Sequence, residues 1–312
     1  MALTLAQAAV VSADQRAAGV MGLMTPQSFL LDRLAFAEIA GNAYRYNLES
    51  TLPGAEFRAV NAAYAESTGT NTDTTEGLVI LGGDADVDRF IQQTRSNLID
   101  QMRDQTSKKA RAVSFKFNDC FINGDTAVDA NSFNGLKKRI TGSQVISSGT
   151  NGAAINTDSN TRQAFFDRLD ELIAAVPGCD LLVANDGILG RFRSAARRET
   201  MNTTTVDTLG RVVDTYNGIP LVSIGNKADG TPIIPQTEVQ GSSSVASSVY
   251  AVRFGADLDE EGVVGLTNGG VMVDPPRQLE TKPAWRVRIE WYVGLALFGK
   301  QPGARLTGVL NS

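Results

Sequence analysis

The stretch from Asp84 to Asp125, DADVDRFIQQTRSNLIDQMRDQTSKKARAVSFKFNDCFINGD, carries the longest helical pattern in the chain. Ile91, Leu98, Met102, Val113, Phe117 and the pair Cys120/Phe121 recur at steps of three, four or their multiples. That is the spacing of a single helix face. Asp84 reads as the N-cap, with Asp86 and Asp88 in a first turn where the helix dipole favours acids. Asn123-Gly124-Asp125 reads as the stop. The pattern predicts a helix of about 35 residues whose one apolar stripe suits a strut lying across a sheet.

Upstream of this strut, residues 43–83 read as a long hairpin. Tyr44, Tyr46 and Leu48 alternate with polar neighbours, Phe57 and Val60 less strictly, and Pro53-Gly54 supplies a turn. Ser67–Glu76 reads as a polar tip before Leu78-Val79-Ile80-Leu81 returns as a strand. A two-stranded ribbon is marginal in water, so this one needs a partner surface. Residues 1–42 are Ala-rich, with a second helical pattern (Phe29, Leu30, Leu34, Ile39) after a start signal at Thr25-Pro26. This segment is too small to fold alone.

Downstream, a Ser/Gly/Thr/Asn-rich stretch at 142–160 opens a second unit. Thr161–Val176 is an amphipathic helix stopped by Pro177-Gly178, Asp180–Ala184 a strand, and Asp186–Arg198 a basic helix. Asn217-Gly218 between two apolar runs is the strongest hairpin signal. Strands follow at Val249–Phe254, Val263–Leu266 and Val271–Val273. From Trp285 to Leu297 every second residue is apolar, the mark of a half-buried strand, and Arg305–Leu310 is another.

The chain has 312 residues, enough to bury roughly three-quarters of its unfolded surface, and an ordinary globular composition. It contains no histidine, which removes the commonest general base, the commonest metal ligand and every imidazole triad. The expectation is no catalytic, cofactor or metal site, although lysine, carboxylate or cysteine chemistry stays open. Cys120 and Cys179 form no CxxC pair and read as free thiols. Asp84-x-Asp86-x-Asp88 begins like a calcium loop. Arg89 and Arg95, however, stand where that loop needs its Gly and its bidentate Glu. The acidic run Asp257, Asp259, Glu260, Glu261 reads as a solvated turn. Arg191, Arg193, Arg197 and Arg198 read as a solvated or subunit-facing surface, and a net charge of −5 argues against a direct nucleic-acid interface. No secretory leader is expected at Met1–Val11, which lacks a cationic start. No membrane span is expected at Ala284–Phe298, which Arg286, Arg288 and Glu290 interrupt.

Charge is unevenly spread. Residues 43–94 hold three basic and eight acidic side chains, whereas 95–139 hold nine basic and five acidic. Glu49, Glu56, Glu66, Asp73 and Glu76 on the hairpin, and Arg103, Lys108, Lys109, Arg111 and Lys116 on the strut, are therefore candidate contacts between neighbouring copies. Neutralisation within one subunit is the alternative.

The order of these parts resembles the major capsid protein of tailed bacteriophages, the α+β Hong Kong 97-type fold shared with encapsulins. Phe121-Ile122-Asn123-Gly124-Asp125 followed by Asn134-Gly135-Leu136 is similar to that family's turn after its spine helix. Tyr216–Val222 is similar to its paired strands, and Asn42–Tyr64 to the hairpin of one capsid subgroup. The resemblance implies an N-arm (1–42), an E-loop (43–83), a P-domain (84–150 with 270–312) and an A-domain (151–269). It implies a structural subunit, not an enzyme, that assembles as pentamers and hexamers into an icosahedral head. That head encloses double-stranded DNA held without sequence-specific binding, in a virion assembled in the host cytoplasm. Implied partners are further copies of the chain, a portal, a scaffolding protein separate from this short arm and, in some heads, a decoration protein. The first lysine is Lys108, so the covalent E-loop crosslink of some relatives is not expected. An encapsulin-like protein compartment and a histidine-free α/β enzyme are the alternatives.

Overall fold

The computed structural model describes residues 2–12, 14–24, 28–95, 100–201, 204–206 and 212–312. Its first sheet is built on Ala284–Phe298, the alternating stretch. One flank of this strand pairs antiparallel with Gly262–Val273, and the other pairs with Val79–Asp88 over ten residue pairs. Ala35–Glu38 adds a parallel strand beyond Gly262–Val273, and Leu3–Thr4 closes that edge. The expected alternation holds at Val287, Ile289, Trp291, Val293 and Leu295, all buried. Toward its end Ala296 and Phe298 are buried on the other face as well.

The strut crosses this sheet as Gln101–Asn123, shorter than its sequence pattern suggests. Val113, Phe117 and Phe121 face the sheet, and the ring of Phe117 lies 5.1 Å from that of Trp291. Trp291 Nε1 donates to Thr267 Oγ1 at 3.2 Å, so its buried polar edge is satisfied. Asp100, not Asp84, caps this helix. A separate short helix, Arg89–Arg95, precedes it, and Leu98 lies outside the described residues. Asp84, Asp86 and Asp88 sit in the strand Val79–Asp88. Their period of two suits this strand as well as a helix start: Ala85 and Val87 between them are buried, Asp84 and Asp86 face arginines, and Asp88 accepts from Phe90 N–H.

The arm packs on its own subunit. Gln15–Met24 and Phe29–Arg33 are helical and bury Met24, Leu30 and Leu31 beside the strut, joined by Leu34 just past the second helix. Ile39 lies past the strand Ala35–Glu38 rather than in a helix, and Thr25-Pro26 lies outside the described residues.

The strut ends as expected at Asn123, with Gly124 N–H bonded to Cys120 O at 2.9 Å. Gly124 and Gly135 meet here: Gly135 N–H donates to Gly124 O at 2.9 Å. A Cβ on either would come within 2.5 Å of Cys120 O, so both glycines of the turn motif are required by close approach.

The second sheet runs in the order Val145–Ser147, Gly303–Leu310, Ser243–Val252, Leu181–Ala184, Ile219–Ser223, Val212–Tyr216, Thr204–Val206. Ser159–Ala174 and Asp186–Arg198 pack on one face around Phe165, Phe166, Leu169 and Phe192. Leu181, Val183, Tyr250 and Val252 on the other face join the core of the first sheet beside Phe121, Leu136 and Ile140. Asn217 (φ 50°) and Gly218 (φ 81°) form the tight hairpin turn foreseen from the Asn-Gly pair. The C-terminal strand Gly303–Leu310 hydrogen-bonds Ser243–Val252 in this second sheet.

Candidate assembly surfaces

Ala43–Thr51 and Thr70–Gly77 form a two-stranded ribbon that pairs with no other strand among the described residues. The sequence put the polar tip at Ser67–Glu76, but Thr70–Glu76 is a strand. Its β-branched threonines suit an extended ladder, and 71–77 match 43–49 residue for residue. The irregular tip is 52–69 and includes Phe57 and Val60, whose loose alternation does not form a strand. Val79–Leu81 belongs to the body strand, not to the ribbon.

The ribbon is fixed at its root. Tyr44 and Tyr46 point to the body and meet Phe298, with centroids 6.1 and 4.6 Å away. Tyr46 Oη donates to Leu297 O at 3.1 Å. Burial first, then the Glu76 carboxylate, pushes the Tyr46 phenol up to about 12. Arg139 grips Glu76 in a two-pronged ion pair, Nη1–Oε1 2.5 Å and Nη2–Oε2 2.6 Å, with side chains only 13% and 15% exposed. A bidentate pair so shielded fixes geometry better than a surface pair does.

The tip has the opposite character. Leu52, Phe57, Val60 and Tyr64 are all exposed, and Phe57 makes essentially no contact at 107% exposure. The loop is nonetheless ordered internally. Ser67 Oγ donates to Gly54 O at 3.0 Å, Arg58 donates to Ala62 O at 3.2 Å, and the Arg58 guanidinium lies 5.3 Å from the Tyr64 ring centre. Burying such side chains is worth about 1.5–3 kcal/mol each, which the single chain forgoes.

Of the candidate acids, Glu49, Glu56, Glu66 and Asp73 are exposed along the ribbon and tip. Asp73 pairs with Arg45, and Glu56 accepts from Ala65 N–H at 2.5 Å. Glu76 is committed to Arg139 within the chain and does not present its charge outward. Arg103, Lys108, Arg111 and Lys116 line the exposed flank of the strut, Lys108 bridging to Asp104 at 2.7 Å. Lys109 is half-buried along Gly83. Sequence reasoning missed Arg139 and Phe298, whose partners on the ribbon are 63 and more residues away.

The other charged motifs serve the fold. Asp84 accepts from Arg288 at 2.7 Å and Asp86 from Arg286 at 2.7 Å across paired strands, with Lys282 also on Asp86. These hydrogen-bonded cations hold both carboxyls below the usual carboxylate range, which leaves their oxygens engaged rather than open to a cation. Arg193 pairs with buried Asp214 at 2.7 Å, Arg198 donates to Asn156 and Arg191 to Asn311. No cluster of three or more metal-ligating side chains exists among the described residues, nor any helix long and apolar enough to cross a membrane.

A ribbon projecting from a strut-backed sheet, with a second sheet flanked by helices, is the Hong Kong 97-type architecture, and the chain has that fold. The holo-SrpI encapsulin of Synechococcus elongatus PCC 7942 superposes with a TM-score of 0.66 at 19% identity, covering 93% of this chain and 89% of that one. The capsid of a native GTA particle superposes at 0.58 and 14% identity, covering 91% and 90%. A structure of Mycobacterium phage Bobi superposes at 0.57 and 15% identity, covering 89% of each chain. Residues 149–288 match the family model for the type 2A encapsulin shell protein, SrpI-like. No curated protein matches the sequence.

Proposed function

We propose that the chain is the repeating subunit of a closed icosahedral shell and not an enzyme. The observation that carries this reading is the hairpin: its root is clamped, while its ordered tip exposes Leu52, Phe57, Val60 and Tyr64 to nothing. A ribbon of nine residues is about 30 Å long, so the tip cannot fold back onto its own root. A second copy supplies the missing surface, and repetition of such a head-to-tail contact closes rings. In this reading 1–42 is the N-arm, 43–83 the E-loop, 84–150 with 270–312 the P-domain, and 151–269 the A-domain that meets its copies at the centre of pentamers and hexamers. Glu49, Glu56, Glu66 and Asp73 face Arg103, Lys108, Lys109, Arg111 and Lys116 of neighbours.

The contents of the shell divide two readings. Double-stranded DNA in a phage head is supported by the resemblance of the Asn123-Gly124-Asp125/Asn134-Gly135 turn to that of tailed-phage capsid proteins and by the likeness to the Mycobacterium phage Bobi structure. A compartment for protein cargo is supported by the SrpI-like match over 149–288 and the likeness to the SrpI encapsulin. Particles purified from the native cell separate the two. Nuclease-protected DNA supports the head and co-purifying protein the compartment. A chain that never leaves the monomer refutes both.

A further inference from the structure

Between the hairpin root and the body lies a cleft of about 1140 Å³. Glu49 and Leu48 stand on the hairpin wall, and the 257–261 turn forms the other. Two ion pairs within it, Arg45 with Asp73 and Arg253 with Glu261, cancel internally. Glu49 and Asp259 have no cationic partner among the described residues, and Glu260 holds only the Ala256 N–H, at 3.0 Å. Lys300 offsets one of these three charges, so the cleft keeps a negative surplus over an apolar floor of Tyr46 and Phe298.

The complementary surplus lies elsewhere on the same chain. Arg111 and Lys116 are exposed on the strut and have no carboxylate partner among the described residues. Five residues apart, they stand about 140° from each other around the helix, one toward either side. Burial of Val113, Phe117 and Phe121 holds the strut under its own sheet, so these cations cannot enter their own cleft. Two turns of a helix about 10 Å across occupy roughly 800 Å³, a volume of the same order as that of the cleft. We propose that the cleft receives the basic flank of the strut of a second copy, with Arg111 and Lys116 meeting Glu49 on one wall and Asp259 and Glu260 on the other. Like charge excludes nucleic acid from the same place. The contact uses different surfaces on the two copies, so it orients neighbours head to tail and discriminates against other approaches.

This inference rests on the shell-subunit reading, and a charge swap in the full chain tests it separately. Asp259→Lys with Glu260→Lys, and Arg111→Glu with Lys116→Glu, should each lower particle yield at least tenfold at physiological salt. The quadruple variant should recover most of it. All four side chains are exposed, so each variant should keep the wild-type melting temperature as a free subunit. Asp259→Cys combined with Lys116→Cys should form a disulfide between copies in particles and none in free subunits. Either double variant assembling as wild type, or a quadruple variant that melts normally and stays unassembled, overturns the contact while the shell reading stands. Wild-type assembly that is lost in chelator but indifferent to Arg111→Glu with Lys116→Glu would give the cleft to a cation and overturn it too. Wild type that forms no particle refutes the shell reading and this contact with it.

Discussion

Replacing Phe57 by Ala separates what holds the subunit from what holds the assembly. In the single chain the Phe57 ring is fully exposed, so its removal takes away no packing. The melting temperature of the free subunit should shift by no more than a surface change does, within about 0.5 kcal/mol. On the shell-subunit reading the same ring is buried against a neighbour in the particle, where a Phe is worth about 1.5–3 kcal/mol. A loss near 2 kcal/mol per contact corresponds to roughly thirtyfold weaker association, since about 1.4 kcal/mol is tenfold. Every subunit both donates and receives the contact, so the concentration needed for assembly should rise by about that factor. Light scattering against subunit concentration, paired with thermal denaturation of dissociated subunits, reads both quantities. Phe117→Ala is the opposite control: it empties a site fully buried beside Trp291 and should cost the subunit itself about 3–5 kcal/mol. A Phe57→Ala variant that melts early, or that assembles at the wild-type concentration, would refute the reasoning.

Arg139→Gln should free the hairpin root, because Glu76 loses its bidentate partner in a half-shielded place, at a cost of about 1–3 kcal/mol. Limited proteolysis should then cut within 43–77 faster while the body stays resistant, and adding Glu76→Gln should recover part of the protection. Acid should destabilise the sheet through Asp84 and Asp86. Their folded-state pKa values are depressed by the hydrogen bonds from Arg288 and Arg286, so their stabilisation is complete above the unfolded carboxylate value of about 3.9 and is lost as pH falls below it. The melting temperature should drop in that window, and the Asp84→Asn, Asp86→Asn double variant should show a flatter profile. Mature particles should run as a single band near 33.2 kDa in denaturing gels, with or without reductant. Burial pushes the Cys179 thiol up to about 11 and raises that of Cys120 as well, so both should resist alkylation at neutral pH.

Elements governed by local chemistry were legible in the sequence. The alternation from Trp285, the Asn217-Gly218 turn and the stop at Asn123-Gly124 each need only their own neighbours, and each stands where the pattern put it. Legibility ended where the deciding partner is remote. Asp84, Asp86 and Asp88 alternate as readily in a strand as they cluster at a helix start, and the arginines that decide between these lie 200 residues on. Thr70–Glu76 carries no apolar alternation, because the rings of Tyr44 and Tyr46 on the paired strand supply the ribbon's apolar contact with the body. Glu76 looked like its acidic neighbours on the hairpin, yet Arg139 claims it. The acids of the 257–261 turn read as solvated, and nothing local showed that the fold sets them opposite Glu49.

The central claim is that exposed tips are completed by further copies of the chain. Electron microscopy of the purified full-length protein, with mass measurement of the same sample, tests it most directly. The account predicts closed particles of uniform size built from many 33.2 kDa subunits, with residues 52–69 of each covered by a neighbour. A monodisperse monomer or small oligomer, with Phe57 and Val60 still exposed to solvent, would contradict it.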